Sequence, residues 1–276
     1  MVTWFEQNTV ALIGLIVGVV IVVLQLNRQH RSTLQIQQDN AREKLKLRLH
    51  EILVQKVRKL SHANLSAAMY ANMILYNWEN FQRRLALGIT PLPIKERAPE
   101  FLKLHTEANN ALNELIEEFI SWSIAFPGLQ IFQVALLAAN HDAWEAFKTL
   151  FTALPRVLPI DPPEGVPENV PGPIILGVLS NEETIKLKEL VARYKDAMDD
   201  IRYYIQDLTI EAQNNLLSGL FNRRVPPRKP LDPTHKVIST EPAQAARLLL
   251  FFENETAWGK AKAIAEKDAI SRYESK

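Results

Sequence analysis

LKLRLHEILVQKVRKLSHANLSAAMYANMILYNWENFQRRL, residues 45–85, contains neither Gly nor Pro. Its apolar positions Leu45, Leu49, Ile52, Val57, Leu60, Ala63, Ala67, Ala71, Ile74, Trp78, Phe81 and Leu85 recur mostly in steps of three and four. That period keeps one face of a helix against partner helices. Leu87, Gly88 and the pair Pro91 and Pro93 then end the helix, because glycine accepts a left-handed cap and proline cannot continue the ladder.

Toward the N-terminus nothing interrupts this helix before Gly18. Residues 27–44, Asn27 to Lys44, are rich in Gln and Arg and read as a solvated helical stalk. Residues 9–26, TVALIGLIVGVVIVVLQL, carry no charge. A hydrocarbon core about 30 Å thick needs roughly 20 helical residues, so this run suits a transmembrane helix near the lower length limit. Trp4 and Phe5 would extend it at the interface, where amphipathic rings gather. A signal peptide would begin with positive charge and end at small residues, whereas Glu6 is the only charged side chain before the run. A core helix would show a polar face, and none occurs between Val10 and Leu24. The helix, if continuous, would project about 90 Å beyond the membrane at 1.5 Å per residue.

Arg28 and Arg31 follow the run at once, with Arg42, Lys44, Lys46 and Arg48 close behind, and no Lys or Arg precedes it. The positive-inside rule puts residues 1–8 outside and residues 45–276 in the cytoplasm, as for a single-pass protein of a bacterial inner or plasma membrane. Between Arg28 and Lys59 nine basic residues face three acids, a collar suited to anionic lipid. Gly14 and Gly18 form a GxxxG pair that would let a second membrane helix approach, although glycine is also simply common in such helices.

Toward the C-terminus further helices follow. One begins near Pro99 and buries Phe101, Leu104, Ala108, Leu112, Leu115, Phe119 and Trp122. Pro127 and Gly128 break it, and Phe132, Leu136, Trp144, Phe147, Phe151 and Leu154 mark a short return helix. Seven prolines between Pro155 and Pro173 forbid helix and predict a stiff connector over 155–179, with an exposed recognition loop as the alternative. Ser180 and Glu183 form a capping box opening the most regular helix. Its seam runs through Leu187, Leu190, Tyr194, Met198, Ile201, Ile205, Leu208, Ala212, Leu216 and Leu220, with coiled-coil spacing. A second Pro-rich connector spans 222–239, and Thr240, Glu241 and Pro242 predict the start of one final helix reaching Tyr273. The fold class is all-α: the membrane helix continues into the long amphipathic one, and about four further helices complete a bundle, the first and fourth helices lying side by side.

The chemistry is sparse. The absence of cysteine excludes disulfides and thiolate metal sites. A formal net charge of +1 gives no general case for nucleic acid. None of the six histidines has Glu three residues before it, so the di-iron bundle motif is missing. His50-Glu51 begins an HExxH motif, but Val54 stands at its second ligand position. No phosphate-binding glycine loop occurs, and no cofactor is expected. Asp196, Asp199 and Asp200 share a helical face, with Asp207 two turns on, and with His141 they are weak metal candidates. A solvated acidic face paired with Arg193, Lys195 and Arg202 is the competing reading. Arg223, Arg224, Arg228 and Lys229 lie in RRVPPRKP, which contains the RxxPxxP spacing of a polyproline ligand; lipid contact and, as the favoured reading, a plain solvated loop compete with it. Arg42 and Lys44 are candidates for the same contact.

The sequence therefore predicts a membrane-tethered helical scaffold or adaptor without catalytic activity. Its expected partners are lipids, a second copy, and a protein of unknown identity. A membrane-anchored sensor or effector of a signalling or defence system is the alternative, and an enzyme with an unrecognised metal site a third.

Overall fold

The apolar period of residues 45–85 folds as the latter part of α1 (Val2–Ala86), a single 85-residue helix in the computed structural model. The backbone is described for residues 2–90, 94–122, 128–154, 158, 179–217, 224–230, 236–274, and the side chains within these apart from 2–24, 26–27, 120 and 272–274. Five more helices follow among the described residues: α2 (Ala98–Trp122), α3 (Leu129–Ala153), α4 (Asn181–Leu216), α5 (Pro242–Asn254) and α6 (Ala257–Glu274). The chain divides into two units, Met1–Leu49 and His50–Lys276. In the first, every side chain from Arg28 to Leu45 is exposed, as the run of polar residues there requires.

In the second unit α1 turns Leu53, Leu60, Ala67, Ala71, Ile74 and Trp78 fully inward. Leu85, at the far end of the predicted stripe, stays exposed. Gly88, at φ +68°, closes α1 with a Schellman motif: its N–H donates to Leu85 O and that of Ile89 to Arg84 O. The chain then folds back on α1. Tyr70 Oη accepts the Arg97 N–H at 2.8 Å and donates to Arg97 O at 3.2 Å, while Asn77 donates to the buried Glu96 carboxylate at 2.7 Å.

Helix α2 joins α1 through Lys56 and Lys59, both on Glu114, and its predicted seam from Phe101 to Trp122 is almost entirely buried. Helices α1 and α4 lie side by side and antiparallel: Asn64 Nδ2 donates to Met198 O at 2.6 Å, and Lys188 pairs with Glu79 at 2.6 Å. The α4 seam is buried from Leu187 to Leu216 apart from the half-buried Leu190, behind the reciprocal Ser180–Glu183 capping box. Leu220 and most of the 155–179 connector lie outside the described residues.

Four expectations need correction. Helix α3 occupies almost all of the segment expected for the return helix, 129–154, but it is as long as α2 and is the hub, packing on α2, α4, α5 and α6. Small residues make this possible, since Ala135, Ala138, Ala139, Ala143 and Ala146 are all buried there and admit neighbours on several sides. Trp144, placed on its core stripe by spacing, is 45% exposed. The final helix is also two helices. The chain turns at Glu255 and Thr256, where Thr256 Oγ1 accepts the Gly259 N–H at 3.1 Å. A Cβ on Gly259 would stand 2.0 Å from the Glu253 carbonyl oxygen, so the corner requires glycine. Nor does Thr240 cap α5. The cap position is Glu241, and Thr240 donates instead to Glu211 at 2.9 Å.

Candidate functional site

The most elaborate polar arrangement lies where α4 meets the second Pro-rich connector. Positions 207, 211 and 214 recur at steps of four and three and therefore line one side of α4. Asp207 is buried, and an unpaired carboxylate there would be costly. Arg228 answers it with both prongs of its guanidinium, Nε to Oδ1 at 3.0 Å and Nη2 to Oδ2 at 3.1 Å. The Ile238 N–H adds a third donor at 2.9 Å. Arg228 also lies over the Tyr203 ring, 4.7 Å from its centroid, and donates to Lys236 O. Burial pushes the Asp207 carboxyl up from its ordinary value, against the pull of Arg228 and the Ile238 amide.

Further along α4, the Asn214 side chain takes both backbone groups of Val225: its Oδ1 accepts the N–H at 2.7 Å and its Nδ2 donates to the carbonyl at 2.9 Å. With Glu211 holding Thr240, three α4 side chains hold Val225, Arg228, Ile238 and Thr240. Asp207 is thus no member of a solvated acidic face, and its partner is Arg228 rather than Arg193, Lys195 or Arg202. Arg228 in turn is not free for lipid or a partner. Of the other candidates in this connector, Arg224 and Lys229 are exposed, and Arg223 lies outside the described residues. One signal pointed to this arrangement: Asp207 falls between the seam positions Ile205 and Leu208.

The weak metal candidates do not assemble. Asp199 pairs with Arg202 one turn along α4 at 3.0 Å, and Asp196 is exposed. Among the described residues no group of three or more His, Asp or Glu is placed to hold a metal ion, so Asp196, Asp199, Asp200 and His141 do not form one.

His105 occupies an aromatic core between α2, α3 and α4. Its ring stacks on Phe147 at 3.9 Å with only 3° between planes, and Nδ1 lies 3.1 Å from Tyr194 Oη. Burial lowers the imidazole pKa to about 4 and pushes the Tyr194 phenol up. Neutral, stacked and buried, His105 belongs to packing rather than chemistry.

A cleft of about 390 Å³ opens between the end of α3 and the start of α4, with Leu187, Leu190 and Lys186 on one wall. On the other wall the hydroxyls of Thr149 and Thr152 donate to carbonyls of their own helix. They offer no donor to a ligand.

In the N-terminal unit Arg28, Arg31, Arg42 and Lys44 are exposed. No helix is long and apolar enough to cross a membrane among the described residues. The side chain of Trp4 and those of the 9–26 run apart from Gln25 lie outside those residues, as does the packing around Gly14 and Gly18. No protein-family model, curated protein or solved structure matches the chain.

Proposed function

We propose that this protein is a membrane-tethered helical scaffold or adaptor, anchored by residues 9–26 with its C-terminal bundle in the cytoplasm. The observation that carries this reading is α1. One helix contains the uncharged apolar run, the basic residues that follow it, and the face that fills the bundle core. A helix of this kind is a tether whose far end is itself a folded domain. The same helix leaves Leu65, Met69, Met73 and Tyr76 between 47% and 63% exposed at helical spacing, a surface suited to self-association or a partner helix. Among the described residues no donor set is assembled behind the metal-enzyme reading.

The test uses the absence of cysteine. Thr3→Cys and Ser271→Cys each introduce a single thiol. In intact cells an impermeant maleimide should label the first and reach the second only after permeabilisation, and carbonate should leave the chain with the membrane. Extraction by carbonate, or equal labelling of both sites, would overturn the anchor. Cross-linking in native membranes tests the scaffold: a strictly monomeric, partner-free chain would count against it.

The continuity of α1 also favours a second reading, a sensor or effector that transmits a signal along the helix. Four glycines inserted after Asn40 separate the two, because transmission through a rigid helix fails while tethering survives.

A further inference from the structure

Arg224–Pro230, RVPPRKP, forms neither helix nor strand, and the chain's own chemistry restricts its shape. Pro226, Pro227 and Pro230 fix φ near −65°, and Val225, Pro226 and Lys229, each preceding a proline, are confined to extended or polyproline conformation. Polyproline II repeats every three residues. In that register 225 and 228 share one edge, 224, 227 and 230 a second, and 226 and 229 the third.

The contacts respect this division. The edge held by α4 is the first: Asn214 binds both backbone groups of Val225, and Asp207 binds Arg228. Arg224, Pro227 and Pro230 on the second edge, and Pro226 and Lys229 on the third, are all exposed; on the first, Val225 is held by its backbone alone, its side chain being exposed too, and Arg228 is the side chain drawn in. A groove that reads polyproline seats two edges of the prism and leaves the third outside. Here the edge left outside is the first, fastened to the bundle through Val225 and Arg228, and the second edge carries the RxxPxxP pattern, Arg224, Pro227 and Pro230.

The geometry points to Arg224–Pro230 as a polyproline ligand displayed in binding register by α4, for a partner domain whose aromatic-lined groove ends in an acidic rim. Aromatic rings take the proline edges, and an acidic group takes Arg224. A lipid surface fits less well. Arg228 is paired with Asp207, which leaves two exposed cations in the segment, Arg224 and Lys229, few for attraction to an anionic leaflet at about 1 kcal/mol each. The inference names a partner class within the scaffold reading and rests on it. Its test involves no membrane insertion, so failure here leaves the carbonate and topology results standing, and the converse holds.

The experiment measures binding of the full chain in detergent micelles, and of the isolated peptide 222–232, to purified SH3 domains that take RxxPxxP peptides. Because α4 has already ordered the segment, the full chain should bind about tenfold more tightly than the peptide. Pro227→Ala with Pro230→Ala should abolish binding in both, and these exposed positions leave the bundle intact. Asn214→Ala should bring the full chain down to the peptide's affinity while its helical content and melting temperature hold. Binding by the chain that is weaker than by the peptide, or absent, would show the segment occluded and overturn the inference. So would binding that survives loss of both prolines, or phosphatidylserine-vesicle binding that falls with Lys229→Glu while no SH3 domain binds.

Discussion

Acid should loosen the bundle through His105. Its imidazole pKa falls from an ordinary 6.5 to about 4 because burial disfavours the cation. Between those values the unfolded chain binds the proton more readily than the folded one, so stability rises with pH across that window. The contribution is fully present above 6.5 and is lost as pH falls toward 4. At pH 5 the unfolded chain gains protonation that the folded chain lacks, a loss of about 2 kcal/mol out of a maximum of about 3. Phe147 and Tyr194 allow no easy escape, since one stacks at 3.9 Å and the other's hydroxyl lies 3.1 Å from Nδ1. For a unit of this size the loss corresponds to a fall of roughly 4–8 °C in melting temperature. Other groups titrate over the same range, so the informative comparison is His105→Gln, which lacks the titration. Thermal melts of both proteins at pH 7 and pH 5 should show the native chain losing about 2 kcal/mol more than the variant. Equal losses in the two proteins would refute the argument, as would an imidazole NMR titration of His105 with a midpoint above 6.

Two further substitutions probe the latch and the corner. Asp207→Ala leaves Arg228 buried without its counter-charge and should cost about 3–5 kcal/mol, whereas Asp207→Leu combined with Arg228→Met should recover part of that loss in urea titration. Gly259→Ala puts a methyl on the Glu253 carbonyl, so the α5–α6 corner must open. Proteolysis near Glu255 should accelerate markedly while the melting of the remaining helices changes little.

Legibility followed the range of the interaction. Positions that meet neighbours at helical spacing could be read directly: the seams of α2 and α4, the Ser180–Glu183 box, and Gly88 as terminator, because each is set by residues three or four apart. What depended on distant partners could not. Asp207 reads as one more surface acid until Arg228, 21 residues away, is brought against it. Trp144 fits the α3 stripe by spacing, yet the helix is surrounded unevenly and that residue falls at the rim of the aromatic cluster, 5.7 Å from the His105 ring centroid. The α5–α6 break hid for another reason. Gly259 is tolerated inside a helix, and only the approach of Glu253 shows that it is required at a turn.

The same distinction explains why α4 organises the bundle's polar chemistry. Its buried face must continue from Leu187 to Leu216 to hold α1 and α3, and Asp207 lies on that face. Once a carboxylate occupies the seam, a cation must come to it. The cation comes from the connector, so the apolar seam fixes the course of a segment that itself buries little. Stability and presentation of RVPPRKP are then coupled at one ion pair. Changes that weaken Asp207–Arg228 should both lower the melting temperature and bring the segment's affinity toward that of a free peptide, whereas Asn214→Ala, acting on an exposed contact, should do only the second.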